Sequence, residues 1–165
     1  MAKKDSIKNI ISKTRSTFTL TDLLVAIGIL GISIVVVLIV SNPAKKIAQA
    51  DNNARKNDVT TILNAIHLYA QNHNGNLPEN MPAKGASAEL VEGTGGADIC
   101  ADISPKYIAE IPTDPSLHTS AVSDCSIKTY NTGYLVSVDS NSRIIVSAPG
   151  VEAVNGITPA ISVTR

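Results

Sequence analysis

The sequence predicts an α+β protein in which one long N-terminal helix, transmembrane in its first half and amphipathic in its second, packs on a small antiparallel sheet. Three observations predict this fold class: an apolar run near the N-terminus, a helical pattern of apolar residues after it, and strand-like alternation in the last third. With 165 residues, the chain has room for one modest domain beyond a membrane segment.

The apolar run extends from Phe18 to Val40 and contains a single charged residue, Asp22. Its twenty-three residues, as a helix, extend about 34 Å, which is enough to cross a hydrocarbon core of about 30 Å. No small-x-small cleavage site of the ordinary secretory type follows the run, so we expect the mature protein to keep it. Residues 18–43 are therefore predicted to form a transmembrane helix, with a kink or break at Pro43.

A basic leader, residues 1–17, precedes the apolar run. It holds five basic residues and one acidic residue, and because the formal net charge of the whole chain is zero, the rest of the chain is net acidic. The basic flank favours a cytoplasmic N-terminus by the positive-inside rule. We therefore predict a single-pass protein of the cytoplasmic membrane that carries residues 44–165 as an extracytoplasmic domain. The net acidic remainder gives no electrostatic reason to expect nucleic-acid binding.

The second half of the predicted helix, residues 44–72, is amphipathic. Apolar residues recur in steps of three and four and predict a stripe that packs on the sheet. The stripe consists of Val59, Ile62, Ile66 and Tyr69. The charged residues expected to stay in water are Asp51, Arg55, Lys56 and Asp58. The run NHNGN at 72–76, followed by Pro78, is predicted to end the helix.

The connection after the helix, residues 79–104, is rich in glycine, alanine and small polar residues. This composition predicts a mobile, variable loop with one short helical turn near 88–91. Ser104 and Pro105 then have the chemistry of an N-cap and a first helical residue, and they predict a short helix through Ala109.

The last segment, residues 127–165, has the pattern of a β region. Apolar residues alternate with polar ones over 130–138, the sequence DSNS at 139–142 is typical of a turn, and RIIVSA at 143–148 predicts a returning strand. These features predict a hairpin. Residues 160–164 either add an edge strand or remain loose, and the pattern leaves both alternatives open.

Two cysteines, Cys100 and Cys125, lie in the predicted extracytoplasmic part. One pair in an oxidising compartment predicts a disulfide, and two free buried thiols are the alternative. Neither cysteine has a CxxC partner or a nearby histidine at ligand spacing, so no zinc site is predicted.

Catalytic chemistry has no visible basis in the sequence. The loop carboxylates Asp114, Asp124 and Asp139 do not form a run dense enough for calcium, and we expect them to be solvated. No Ser-His-Asp order, glycine-rich phosphate loop or paired-carboxylate motif is present. We therefore predict a protein that is not an enzyme, with no catalytic residues, no metal and no cofactor.

The segment RSTFTLTDLLVAIGILGI, which begins at Arg15, resembles the N-terminal processing and assembly segment of type IV pilins and type II secretion pseudopilins. The resemblance combines a short basic leader, Phe-Thr-Leu, an acidic residue at the fifth position and an apolar helix. Two later stretches extend it: NHNGNLP is similar to the family's helix stop, and YIAEIPTDP at 107–115 is similar to a stretch before the sheet of major pseudopilins.

The resemblance implies a maturation route. A prepilin peptidase would cut between Thr17 and Phe18 and methylate the new amine of Phe18, and Asp22 would pair with the Phe18 ammonium of a neighbouring subunit. An unpaired charge in an apolar bundle is costly, whereas a paired and hydrogen-bonded charge is tolerated. The family's usual glycine before the cut is Thr17 here, and its usual glutamate is Asp22.

Three functions follow as hypotheses. The resemblance implies a structural subunit of a type IV pilus-like filament, which meets membrane lipid, an inner-membrane assembly platform and other pilin subunits before it reaches the cell surface. A major-type pseudopilin of a type II secretion or DNA-uptake system is the alternative within that class. The alternative from another class is a singly anchored extracytoplasmic binding module that does not polymerise, because Thr17 prevents processing.

Overall fold

The computed structural model describes residues 18–165, and these fall into two units. The first unit ends at Pro43, and the second comprises Ala44–Arg165. The predicted leader, including Thr17, lies outside the described residues.

The first unit is helix α1, Leu20–Ser41, and it has a defined start and end. Thr19 is its N-cap, with extended backbone angles. Asn42 then adopts a left-handed conformation with φ 36°, and the chain resumes a helical course at Pro43. A residue that precedes proline is disfavoured in the helical region, whereas proline itself suits the first helical position. The predicted break at Pro43 is therefore confirmed.

Helix α2, Pro43–Asn72, lies in the second unit from Ala44 onward and carries the predicted amphipathic stripe. One face is buried, and it comprises Ala48, Asn52, Arg55, Val59, Ile62, Leu63, Ala65, Ile66 and Ala70. Past its last residue, Gly75 takes a positive φ of 87° and donates its N–H to the carbonyl of Ala70 at 2.8 Å. That geometry closes the open end of the helix, so the predicted helix stop is confirmed.

Four antiparallel strands form one sheet in the order β1-β2-β3-β4. Their bounds are Glu89–Glu92 for β1, Asn131–Val138 for β2, Ile144–Ala148 for β3 and Ile161–Thr164 for β4. The predicted hairpin is β2-β3, and Asp139 organises its turn by accepting the N–H groups of Asn141 and Arg143 through Oδ1, both at 2.8 Å. Of the two alternatives for the tail, the structure has the edge strand, β4.

The region 79–104 differs from its prediction because it contains strand β1 where a helical turn was expected. Leu90 pairs with Leu135 of β2, and Val91 is fully buried in the core. A four-residue strand with two glutamates has weak local β propensity, so its conformation depends on the distant strand with which it pairs.

The short helix predicted to begin at Ser104 is also wrong. Helix α3 is Cys100–Ile103, and Ser104 is its C-cap, whose N–H bonds to the carbonyl of Cys100 at 2.8 Å. The Ser104-Pro105 peptide bond is cis. Because Cys100 and Ile103 are both fully buried, tertiary packing places the helical turn there and not after the proline.

The core lies wholly within the second unit. Apolar side chains of α2, α3 and the facing side of the sheet form one cluster, joined by residues from the loop that precedes β2. A single 3-10 turn, Pro115–Leu117, lies in that loop. The structure is therefore an α+β arrangement of a helix on a four-stranded antiparallel sheet, and it confirms the predicted fold class.

Candidate functional site

Helix α1 exposes an apolar surface around its whole circumference. Its 22 residues include one charged side chain, Asp22, and one hydroxyl in the apolar stretch, Ser33, which donates to the carbonyl of Ile29 at 2.7 Å. The helix is long and apolar enough to cross a membrane, and its most apolar window has no buried residue. The side chains that remain exposed at more than half of their area include Leu23, Leu24, Val25, Ile27, Ile29, Leu30, Ile32, Ile34, Val35, Val36, Val37, Leu38, Ile39 and Val40.

Asp22 sits in the first turn of α1, where it forms a reciprocal capping box with Thr19. Its Oδ2 accepts the backbone N–H of Thr19 at 3.0 Å, and the hydroxyl of Thr19 accepts the N–H of Asp22 at 3.3 Å. The hydroxyl of Thr21 lies 2.7 Å from that of Thr19. These bonds give hydrogen-bond acceptors to backbone N–H groups that otherwise have no partner at the N-terminus of a helix. Within residues 18–165, no hydrogen bond reaches Asp22 Oδ1.

Phe18 lies immediately before this capping box and is 79% exposed. The structure therefore places two predicted site residues, Phe18 and Asp22, at the same polar end of α1. Thr17, the other half of the predicted processing site, precedes the described residues.

Cys100 and Cys125 form the predicted disulfide, with their Cα atoms 5.4 Å apart. The bond joins the start of α3 to the loop between the 3-10 turn and β2. It therefore closes the segment that carries Asp114, and the alternative of two free thiols is wrong.

A buried ion pair between Arg55 and Asp114 is the main polar feature that sequence reasoning missed. Arg55 was expected in water, yet its side chain is fully buried and its Nε and Nη2 donate to the two carboxylate oxygens of Asp114 at 2.8 and 2.9 Å. Asp114, expected to be a solvated loop carboxylate, is only 2% exposed. The helical pattern assigns arginine to the polar face of α2. It cannot show that Asp114, fifty-nine positions later, lies beside Arg55 in the folded protein.

The same guanidinium extends to a third segment. Arg55 Nη1 donates to Asn52 Oδ1 at 3.0 Å and to Glu152 Oε1 at 3.2 Å. The side-chain amide of Asn52 also bonds to the backbone of Glu152: its Nδ2 donates to the Glu152 carbonyl at 2.7 Å, and its Oδ1 accepts the Glu152 N–H at 3.0 Å. We call Arg55, Asp114, Asn52 and Glu152 the Arg55 cluster. It joins α2 to the loops that precede β2 and follow β3.

Two glycines make room for Asp114. A Cβ at Gly133 would lie 2.8 Å from Asp114 Cβ, and one at Gly150 would lie 2.9 Å from Asp114 Oδ2. Burial raises the pKa of Asp114, but hydrogen bonds from Arg55 and Ser116 outweigh that effect, so its pKa lies below the ordinary value. The pKa of Arg55 is raised by its hydrogen bonds to Asp114. Both groups therefore stay charged at neutral pH.

Asp58 lies one turn along α2 from Arg55 and is half-buried, contrary to the prediction that it stays in water. The hydroxyl of Tyr134 donates to its Oδ2 at 2.6 Å. Burial raises the pKa of Asp58, the bond from Tyr134 opposes that effect, and the negative charge of Asp114 adds to it. The pKa of Tyr134 is raised by its own burial and by the bond to Asp58. This pair anchors α2 to β2.

Among residues 18–165, no three His, Cys, Asp or Glu side chains are grouped so as to hold a metal ion. His73 stacks on the ring of Tyr69 at 3.9 Å, and its Nδ1 lies 2.7 Å from the Tyr69 carbonyl, at the end of α2. In the Arg55 cluster, one guanidinium pairs with two carboxylates, of which Asp114 is buried and Glu152 is 41% exposed.

No family model matches the chain, and neither a curated protein nor a solved structure is significantly similar to it. The fold and the N-terminal segment therefore define the class directly: an α+β domain preceded by a helix that can span a membrane.

Proposed function

We propose that this chain is a structural subunit of a type IV pilus-like filament. The observation that carries the proposal is the character of α1, which exposes apolar side chains on every side and bears one carboxylate in its first turn. Such a surface needs a non-aqueous surrounding. Lipid supplies it before assembly, and the same helices of neighbouring subunits supply it in a filament.

Asp22 specifies the register of assembly in this proposal. Prepilin peptidase cuts between Thr17 and Phe18 and methylates the Phe18 amine, and the resulting ammonium of one subunit pairs with Asp22 of the next. The capping box occupies Asp22 Oδ2, which leaves Oδ1 for the neighbour. A buried carboxylate without a counter-ion is strongly destabilising, so subunits that miss this register are disfavoured.

A pseudopilin of a type II secretion or DNA-uptake system is a variant of the same proposal. The stretch YIAEIPTDP, which supports it by resemblance, contains Asp114 of the Arg55 cluster. That stretch therefore has a definite role within the domain, since it supplies the buried anion that α2 requires.

A singly anchored module that does not polymerise is the second candidate, and two observations favour it. Thr17 stands where the family has glycine, and the capping box already gives Asp22 a hydrogen-bonded partner within its own chain. A carboxylate that caps its own helix at a membrane surface needs no neighbour.

Two substitutions distinguish the pairing of Asp22 with a neighbouring subunit from its role in capping its own helix. Asp22→Asn keeps an oxygen that can accept the Thr19 N–H but removes the charge, whereas Thr19→Ala removes the hydroxyl of the capping box and keeps the charge. We expect Asp22→Asn to reach the membrane and to be absent from sheared surface filaments, and Thr19→Ala to assemble. Immunoblots of the membrane and sheared fractions, with electron microscopy, measure this. Normal filaments from Asp22→Asn would contradict the pairing role.

Intact-mass and N-terminal analysis of the native protein tests processing. A chain that begins at Phe18 in the sheared fraction, with or without a methyl group, is the result expected for a filament subunit. A chain that begins at Met1 and occurs only in membranes would replace the filament proposal with the anchored module.

A further inference from the structure

Strand β4 leaves one edge of the sheet open. Arg165 and Ile144 of the neighbouring strand exchange both backbone hydrogen bonds, at 2.7 and 2.9 Å. Because bonded pairs alternate along an antiparallel ladder, Val163 also bonds to β3, while the N–H and C=O groups of Ser162 and Thr164 point away from the sheet. No group in residues 18–165 forms a hydrogen bond with these outward backbone atoms.

The opposite edge, strand β1, is protected in three ways. Its register shifts between Leu90 and Glu92, the carbonyl of Leu90 is occupied by the N–H of Ala97 at 2.8 Å, and Glu89 adds a second negative charge. Bulges, charges and covering loops are the usual means of preventing unwanted strand pairing. Strand β4, with the sequence ISVT, has no charge, no proline and no bulge. Its open edge is therefore suited to accept a strand.

A groove of about 330 Å³ runs between β4 and α2. Its lining consists of Lys56, Val59, Thr60, Ala160, Ile161, Ser162 and Val163. Most of these side chains are apolar, and Lys56 is the only charged one. Lys56 is exposed and forms no ion pair with any of residues 18–165. At the other end of the strand, the guanidinium of Arg165 donates to the neutral amide oxygen of Asn64 at 3.2 Å.

We propose that β4 binds an extended acidic segment of a partner protein as a fifth strand of the sheet. The partner's backbone would pair with Ser162 and Thr164, its apolar side chains would enter the groove toward Val59 and Val163, and its carboxylates would meet Lys56. Strand addition of this kind takes affinity from main-chain hydrogen bonds and specificity from alternate side chains. The proposal rests on residues 44–165 and is independent of filament assembly.

A second copy of this chain is a poorer occupant on electrostatic grounds. Antiparallel pairing of two β4 strands through these outward groups, with Ser162 of one copy opposite Thr164 of the other, would place each Arg165 opposite Ile161 of the other copy. Each Arg165 would then approach Lys56 of the other copy, which lines the same groove as Ile161. Like charges across paired strands are destabilising. A segment with acidic residues replaces that repulsion by attraction.

The test uses the isotope-labelled full chain in detergent micelles and two blocked heptapeptides, ETVTVTE and KTVTVTK. Both place valines on one face of a strand and differ only in the charge at their ends. We expect ETVTVTE to shift the amide signals of Ser162 and Thr164, to slow their hydrogen exchange, and to bind about fivefold more tightly than KTVTVTK. The same acidic peptide with N-methyl groups on alternate residues is expected not to bind.

Two charge-reversal variants test whether Lys56 is the residue that attracts the acidic peptide. Lys56→Glu is expected to remove the preference for the acidic peptide, whereas Lys84→Glu, the same change in an exposed loop, is expected to keep it. The proposal is overturned if neither peptide shifts Ser162 and Thr164, or if both peptides bind equally. It is also overturned if these two signals change with protein concentration alone, which would indicate a second copy.

Discussion

At the scale of single residues, the pairing of Arg55 with Asp114 has the largest consequence for stability. Both groups are removed from water, and each satisfies the charge of the other through two hydrogen bonds. A buried pair contributes little compared with an apolar substitute, but the loss of one partner leaves an uncompensated charge in the interior.

We predict that Arg55→Met lowers the free energy of unfolding by about 3–5 kcal/mol, because Asp114 loses its counter-ion. Lys56→Met, one position along α2 and exposed, is the matched control, with an expected change of about 0.5 kcal/mol or less. Urea unfolding of both variants measures the difference. Equal stability of the two variants would refute the importance of the ion pair.

The carboxylates of Asp114 and Asp58 predict opposite pH dependences. Because the pKa of Asp114 is lowered by folding, its contribution to stability is complete above the unfolded pKa of about 3.9 and is lost as the pH falls through the folded value. The pKa of Asp58 is raised, so its contribution is complete below about pH 3.9 and is lost as the pH rises through its folded value.

Asp58→Asn therefore should become more stable relative to the wild type as the pH rises from about 4 to 7, because the substitution removes a carboxylate that is harder to ionise in the folded state. Asp114→Asn should show the reverse trend, with its deficit shrinking as the pH falls below about 4. Urea unfolding of both variants and the wild type from about pH 2 to pH 7 measures both trends. A deficit that does not vary with pH in either variant would contradict the assignment.

At the scale of elements, the disulfide holds the segment between α3 and β2 against the domain. Its 25-residue separation predicts a contribution of about 3.5 kcal/mol from restriction of the unfolded chain. We expect the double variant Cys100→Ser, Cys125→Ser to lose about this amount in urea unfolding. A reducing agent should destabilise the wild type and leave the double variant unchanged; an equal effect on both would show that another process is involved.

The helices illustrate which elements a sequence can predict. The break between α1 and α2 and the end of α2 were both predicted, because proline and glycine act through local backbone geometry. Strand β1 and helix α3 were not, because Glu89–Glu92 is a strand only when paired with β2, and Cys100–Ile103 is helical where two of its side chains enter the core.

At the scale of the whole molecule, the two units differ in where their apolar side chains lie. Every residue of the core cluster lies beyond Pro43, and most of the large exposed apolar side chains among residues 18–165 lie in α1. We predict that residues 44–165, produced alone with the disulfide formed, fold as a soluble monomer. Light scattering and cooperative urea unfolding test this. Aggregation of the fragment would mean that the core requires α1.

The apolar character of α1, the single carboxylate in its first turn, the helix stop and the β2-β3 hairpin were determined by the sequence itself, because each depends on residues close together in the chain. The Arg55 cluster, the protection of β1 and the open edge of β4 were decided only by the tertiary structure. Asn52, Arg55, Asp114 and Glu152 meet only when α2 packs on the sheet, and a hydrophobic pattern records where polar residues occur but not which of them are buried together.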